Sequence, residues 1–173
     1  GGYLVDMVGL DKKLLARYGK DADKLAGIIP FSGQVITHFE TRNQRGLKPL
    51  QPTIDETAPL YHVRPDCAPI LILSGDREKE LYGRYEESAY FYRLFKLLGH
   101  PDVTLYELGG FDHGTMRDAA FHLPLSCGDL RKSQVTVSRC FYRNVYIPVN
   151  AHLPLLKIII LLFIKKIQLF GEF

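Results

Sequence analysis

An α/β fold with a parallel sheet is what this 173-residue sequence predicts. Three observations carry that prediction. Two short apolar runs, at residues 25–31 and 68–73, each close on a Ser-Gly pair and have the length of buried strands. An amphipathic helical stretch separates the second run from a third strand-like segment. The resulting order of helix, strand, excursion, strand, helix, strand, turn and helix is that of parallel strands joined by crossovers.

The first 20 residues read as a helix. Tyr3, Leu4, Met7, Val8, Leu14 and Leu15 recur at helical spacing, and Gly19 provides a stop. Leu25-Ala26-Gly27-Ile28-Ile29-Pro30-Phe31 then reads as a buried strand ending at Ser32-Gly33. Residues 34–65 show no clean period and hold Pro49, Pro52, Pro59 and Pro65. They read as a long excursion with one short helix, of the kind that serves as a lid or binding loop. Order returns with the strand Ala68-Pro69-Ile70-Leu71-Ile72-Leu73, which runs into Ser74-Gly75. From Arg84 to Leu98 the residues Tyr85, Ala89, Phe91, Tyr92, Phe95 and Leu98 give a helix a packing face, with Gly99 as its stop. Val103 to Leu108 alternates as a third strand, Gly109-Gly110 forms a turn, and a helix starts from about Thr115 to Phe121.

Ligands of parallel sheets bind outside the carboxyl ends of the strands. That rule selects the loops after Phe31, Ser74 and Leu108. His113, between Asp112 and Gly114, stands where it can project over the sheet edge. Nucleophilic serine catalysis needs such a base of near-neutral pKa, and a carboxylate on its second ring nitrogen to fix the tautomer. The loop Gly75-Asp76-Arg77-Glu78-Lys79-Glu80 offers the carboxylates. One helix and one strand separate it from His113, so neighbouring parallel strands would bring the two loops together. A carboxylate oxygen of Glu78 or Asp76 is then expected within hydrogen-bonding range of the imidazole. Each feature also has a plainer reading. The histidine suits an exposed loop, and the charged run suits a solvated helix start. Ser32, without the flanking G-x-S-x-G of a nucleophile elbow, reads as a cap or turn residue.

Taken together these segments resemble the α/β-hydrolase esterase/lipase family, most closely its carbohydrate-esterase-like bacterial branch, which includes feruloyl and acetyl esterases. Gly1-Gly2-Tyr3-Leu4 resembles the end of the family's G-x-S-x-G-G elbow. Residues 69–78 resemble its strand and acid turn, and Gly109-Gly110-Phe111-Asp112-His113-Gly114 resembles its histidine turn. The resemblance covers residues 1–125 and implies the C-terminal parallel strands and flanking helices of a partial three-layer hydrolase sheet. It implies a serine-type carboxylic ester hydrolase with the chain order serine, acid, histidine. His113 would be the base. The family's Gly-x-x-Asp pattern, laid on Gly75 without a gap, favours Glu78 over Asp76 as the acid. Phe39 and Tyr61 are candidate pocket walls. The serine and the residue after it would stand before Gly1, so the chain is expected to be an inactive fragment of the intact enzyme. A small-molecule ester is the implied partner, with no metal or organic cofactor. A second function class stays open: a non-catalytic α/β module that binds a small molecule or a partner at the same strand ends.

Charge and cysteines narrow the other classes. Residues 1–118 carry 15 basic and 17 acidic side chains, so nothing there suggests nucleic-acid binding. Residues 119–173 carry 7 basic and 2 acidic side chains. Cys67, Cys127 and Cys140 are far apart without CxxC spacing, which predicts free thiols and no zinc site. Residues 126–173 depart from the family as an atypical basic and apolar tail. Its run from Leu155 to Ile164 is apolar all round, ends in Lys165-Lys166, and is too short to span a bilayer. It reads as a non-native extension such as an altered reading frame, or as an interfacial or partner-binding segment touching a membrane surface. No signal peptide is visible, and the compartment stays open.

Overall fold

Three parallel segments lie side by side in a computed structural model of the chain, which describes residues 1–48 and 50–118. All described residues fall in the first of the chain's two units, Gly1–Val135. Strand β1, Ile70–Gly75, is buried along its whole length. It pairs with β2, Val103–Leu108, in a parallel register from Ile70 opposite Val103 to Gly75 opposite Leu108. On the other side of β1 the segment 28–31 pairs through two isolated parallel bridges, Ile28 with Ile70 and Phe31 with Leu73.

Pro30 explains why that third segment is bridged and not a continuous strand. The N–H of Ile28 donates to Pro69 O at 2.8 Å and that of Ser32 to Leu73 O at 2.7 Å. Residue 30 lies midway and should donate to the same neighbour, but proline has no N–H. The reverse bonds survive, from Leu71 N to Ile28 O at 2.9 Å and from Leu73 N to Pro30 O at 3.1 Å.

The expected first helix is divided in two. Helix α1 is Gly2–Leu10 and α2 is Lys12–Ala16. Asp11 between them is extended, and its carboxylate accepts from Lys13 N at 3.0 Å, so a capping aspartate competes with continuation of the helix. Gly19, at φ 66°, closes the region as anticipated. The excursion contains α3, Phe39–Gln44, and a 3-10 turn, Pro59–His62. It is tied down at both ends. Glu87 Oε2 accepts from Val35 N at 2.9 Å and Ile36 N at 3.3 Å, while Tyr3 OH donates to Thr57 O at 2.6 Å. Asp55 takes Thr57 Oγ1 at 2.6 Å and Thr57 N at 2.8 Å. The Thr57 hydroxyl leads in holding its carboxyl down at about 2.

Helix α4, Arg84–Leu97, crosses from β1 to β2 and packs on both strands. Phe91 and Phe95 are 0% exposed, meet edge to face at 4.8 Å, and join Ile70, Ile72 and Val103 in the main core. His100 fastens the return to β2. Its Nε2 lies 3.0 Å from Cys67 O, and its Nδ1 accepts from Asp102 N at 3.2 Å. Cys67 beside it is a free thiol, and burial pushes it up to about 11. Cys127 and Cys140 lie outside the described residues. So do the tail from residue 126 and the end of the helix expected from Thr115, of which residues 116–118 are helical. No helix among the described residues is long and apolar enough to cross a membrane.

Asp6 on α1 is fully buried, and both of its carboxylate oxygens lack a hydrogen-bond partner. Burial raises its pKa well above the ordinary 3.8. The fold therefore keeps this proton after the unfolded chain has lost it, and stability falls as pH rises past about 4 until Asp6 ionises in the fold. Asp6→Asn should consequently gain on the wild type in urea denaturation as pH rises from about 4 to 7. A stability difference that stays constant over that range would contradict this.

Candidate active site

Both strands end on one sheet edge, and the loops that follow are stitched together there. After Gly75 the chain makes a helical turn, with the N–H groups of Lys79 and Glu80 donating to Asp76 O at 2.9 and 2.8 Å. Asp76 is the clasp between the loops. Its Oδ2 accepts from Gly110 N at 2.6 Å, its Oδ1 from Glu78 N at 2.9 Å, and its own N–H donates to Phe111 O at 2.8 Å. The Gly110 and Glu78 N–H groups hold its carboxyl below the usual range. Lys79 Nζ adds a bond to Gly110 O at 3.1 Å. The far side of the turn is pinned by Arg77, which grips Glu107 of β2 at 2.6 and 2.9 Å and lies over the Tyr85 ring at 4.3 Å. That guanidinium draws the Glu107 carboxyl down to about 2.

The histidine turn is built by Gly110, at φ 87°, and by Asp112. The Asp112 carboxylate accepts from Gly114 N at 2.9 Å and from Thr115 N and Oγ1, both at 2.8 Å. Asp112 therefore caps the helical start at residue 116 and takes no part in holding the imidazole.

The carboxylate that meets His113 is Glu80. Its Oε1 lies 2.8 Å from His113 Nδ1. Neither Glu78 nor Asp76, the two acids favoured on sequence, makes that contact. Glu78 is exposed and gives only its N–H to Asp76, and Asp76 is committed to the Gly110 amide. The reason is the helical turn. It carries residue 80 over residue 76 and points residue 78 outward. The sequence did hold a signal for Glu80, which stands one turn after Asp76 and immediately before apolar Leu81.

Glu80 is set as an ionised acceptor. Its side chain is only 1% exposed, against 43% for His113. Oε1 also accepts from Leu81 N at 2.9 Å, while Oε2 accepts from Ser32 Oγ at 2.6 Å and Gly75 N at 3.2 Å. Burial alone would raise its pKa. The Ser32 hydroxyl, the Leu81 N–H, His113 and the Gly75 N–H outweigh burial and hold it below the ordinary value. A Cβ on Gly75 would fall 2.7 Å from Glu80 Oε2 and 2.8 Å from Phe111 O, so only glycine lets the carboxylate come this close. Because ionised Glu80 can only accept, Nδ1 of a neutral His113 must carry the proton and Nε2 is left as the basic nitrogen. No hydrogen-bond partner on Nε2 is found among the described residues.

No protein-family model matches the chain, and no curated protein does. Among solved structures it is similar to esterase 2 of Thermogutta terrifontis phosphoramylated by tabun, at 20% identity and a TM-score of 0.44, over 65% of this chain and 45% of that one. The propionate-bound thermophilic esterase of Thermogutta terrifontis is similar at 18% identity and a TM-score of 0.43, over 65% and 46%. The chain thus spans about half the length of the structures it matches.

The start of α1 abuts this site. A Cβ on Gly2 would fall 2.6 Å from both Gly33 Cα and Phe31 O, so the helix end lies hard against the segment that carries Ser32. Of the proposed pocket walls, Phe39 stacks on His38 at 4.4 Å, and His38 meets Tyr3 at 4.9 Å. Tyr61 is exposed and touches the ring of its neighbour His62. Among the described residues no group of His, Cys, Asp and Glu side chains converges so as to hold a metal ion.

Proposed function

We propose that this chain supplies the acid and base of a carboxylic ester hydrolase, with His113 as general base and Glu80 as the carboxylate that orients it. The observation that carries the reading is the 2.8 Å contact between His113 Nδ1 and the almost fully buried Glu80. A buried, ionised acceptor on Nδ1 leaves Nε2 free to take a proton from a nucleophilic hydroxyl. The protonated ring then returns that proton to the departing alcohol. In the second half-reaction it takes a proton from water, whose oxygen attacks the acyl-enzyme carbonyl, and it gives that proton to the nucleophile's oxygen as the acyl–oxygen bond breaks and the acid leaves. Asp76 and Arg77 act on the turn that carries Glu80. The substrate is a small-molecule ester.

Within the same proposal, the nucleophile is a serine in the residues that precede Gly1 in the whole protein. Two features support that location: the start of α1 lies against the Ser32 segment, and Gly1-Gly2 resembles the end of a nucleophile elbow. The test compares two proteins on p-nitrophenyl acetate. The 173-residue chain should stay at the uncatalysed background. The protein extended upstream by its natural coding sequence should turn the ester over, and His113→Ala should remove that activity by about a thousandfold or more. Turnover by the 173-residue chain that His113→Ala abolishes would misplace the nucleophile. An extended protein whose turnover ignores His113→Ala would end the reading of His113 as the base, and one that leaves the ester untouched would end the hydrolase reading.

A further inference from the structure

We infer that Ser32 is a positioning residue of this site, whose buried hydroxyl fixes one oxygen of Glu80 so that the other is presented to His113. The inference rests on the reading of His113 and Glu80 as base and acid. Ser32 is the one non-glycine described residue with positive φ, at 42°, a region that side chains rarely occupy. Strained backbone of this kind persists where its surroundings over-determine it. Here its N–H donates to Leu73 O at 2.7 Å and its carbonyl accepts from Arg84 Nη1 at 3.2 Å. The residues just after it are held by Glu87 through Val35 N and Ile36 N, and Gly33 is pressed against α1.

The product of that strain is the direction of the hydroxyl. Ser32 Oγ stands 2.6 Å from Glu80 Oε2 and 3.2 Å from His113 Nδ1. The ionised carboxylate can only accept, so the hydroxyl proton goes to Oε2. This geometry separates Ser32 from a nucleophile. A nucleophilic hydroxyl must face the nitrogen opposite the acid, whereas Ser32 faces Nδ1 and shares the acid with it. With Gly75 N on the same oxygen, the hydroxyl stops rotation of the carboxylate about its terminal bond.

The test follows the Glu80 carboxyl carbon by NMR through an acid titration of the full chain, in the wild type, Ser32→Ala, Ser32→Gly and His113→Ala. The two Ser32 variants both delete the hydroxyl but act oppositely on the backbone, because glycine suits φ 42° and alanine does not. Thermal unfolding should therefore show Ser32→Gly as the more stable of the two. Glu80 should nonetheless titrate at higher pH in both, by a similar shift. An unmoved Glu80 in both variants, or a shift in Ser32→Ala alone, would overturn the role of the hydroxyl. His113→Ala separates the two levels of the argument. It should also raise the Glu80 midpoint. If it does so while the Ser32 variants do not, the acid–base pair stands and the inference falls. If Glu80 ignores His113→Ala, the pair itself falls and takes the inference with it.

Discussion

Glu80→Gln, made in the upstream-extended protein, should lower kcat/KM for p-nitrophenyl acetate by about 10³- to 10⁴-fold, the loss typical when the acid of such a triad becomes an amide. The amide is nearly isosteric, so the packing around residue 80 is kept. Its charge is lost, and with it the fixed demand for a proton on Nδ1. An NH₂ group facing the ring would force Nδ1 to accept and place the proton on Nε2, the nitrogen the reaction needs free. Glu78→Gln is the paired control. Its side chain is exposed and makes no contact with the imidazole, so activity should stay within about twofold of wild type. Comparable losses in the two variants would mean that the charge of the turn matters and the specific contact does not.

Phe91→Ala should destabilise the fold by about 3–5 kcal/mol, the range for deleting a fully buried aromatic ring. The ring is 0% exposed, and it lies in the core that α4 shares with Ile70 and Ile72 of β1 and Val103 of β2. Net stabilities of single domains are only about 5–15 kcal/mol, so the variant should lose most of its folded range in urea. Leu98→Ala, at a half-exposed position just past the same helix, should shift the midpoint little. Equal shifts would show that the core is not where α4 meets the sheet.

What could be read from the sequence was whatever local periodicity encodes. The ILIL run of β1, the 3.6-residue spacing of α4 and the alternation of β2 each declare their own element. The parallel order then follows from the alternation of types. Asp11 and Pro30 are single residues that override good patterns around them. One caps a new helix within an apolar stripe, and the other removes a single donor from a ladder. The excursion looked aperiodic because its order comes from side chains distant in sequence, Glu87 and Tyr3 among them.

The site divides in the same way. His113 was legible because a glycine pair after a strand is a local signal. The carboxylate that meets the imidazole was legible only to the level of its turn. Counting from Gly75 favoured Glu78, whereas the helical winding of residues 76–80 decides which side chain faces the histidine. Ser32 was legible as the end of a strand in a selected loop, but not its contact with Glu80, since its backbone angle is imposed by Leu73, Arg84 and the packed end of α1.

The central claim is that Glu80 holds the imidazole with its proton on Nδ1 and its basic nitrogen open. Long-range ¹H–¹⁵N correlation of the His113 ring in the 173-residue chain, near neutral pH, reads that tautomer directly. The account predicts that the neutral form of the ring carries its proton on Nδ1 in the wild type and in Glu78→Gln, and on Nε2 in Glu80→Gln. A wild-type ring protonated at Nε2, or a tautomer that does not respond to Glu80→Gln, would contradict it.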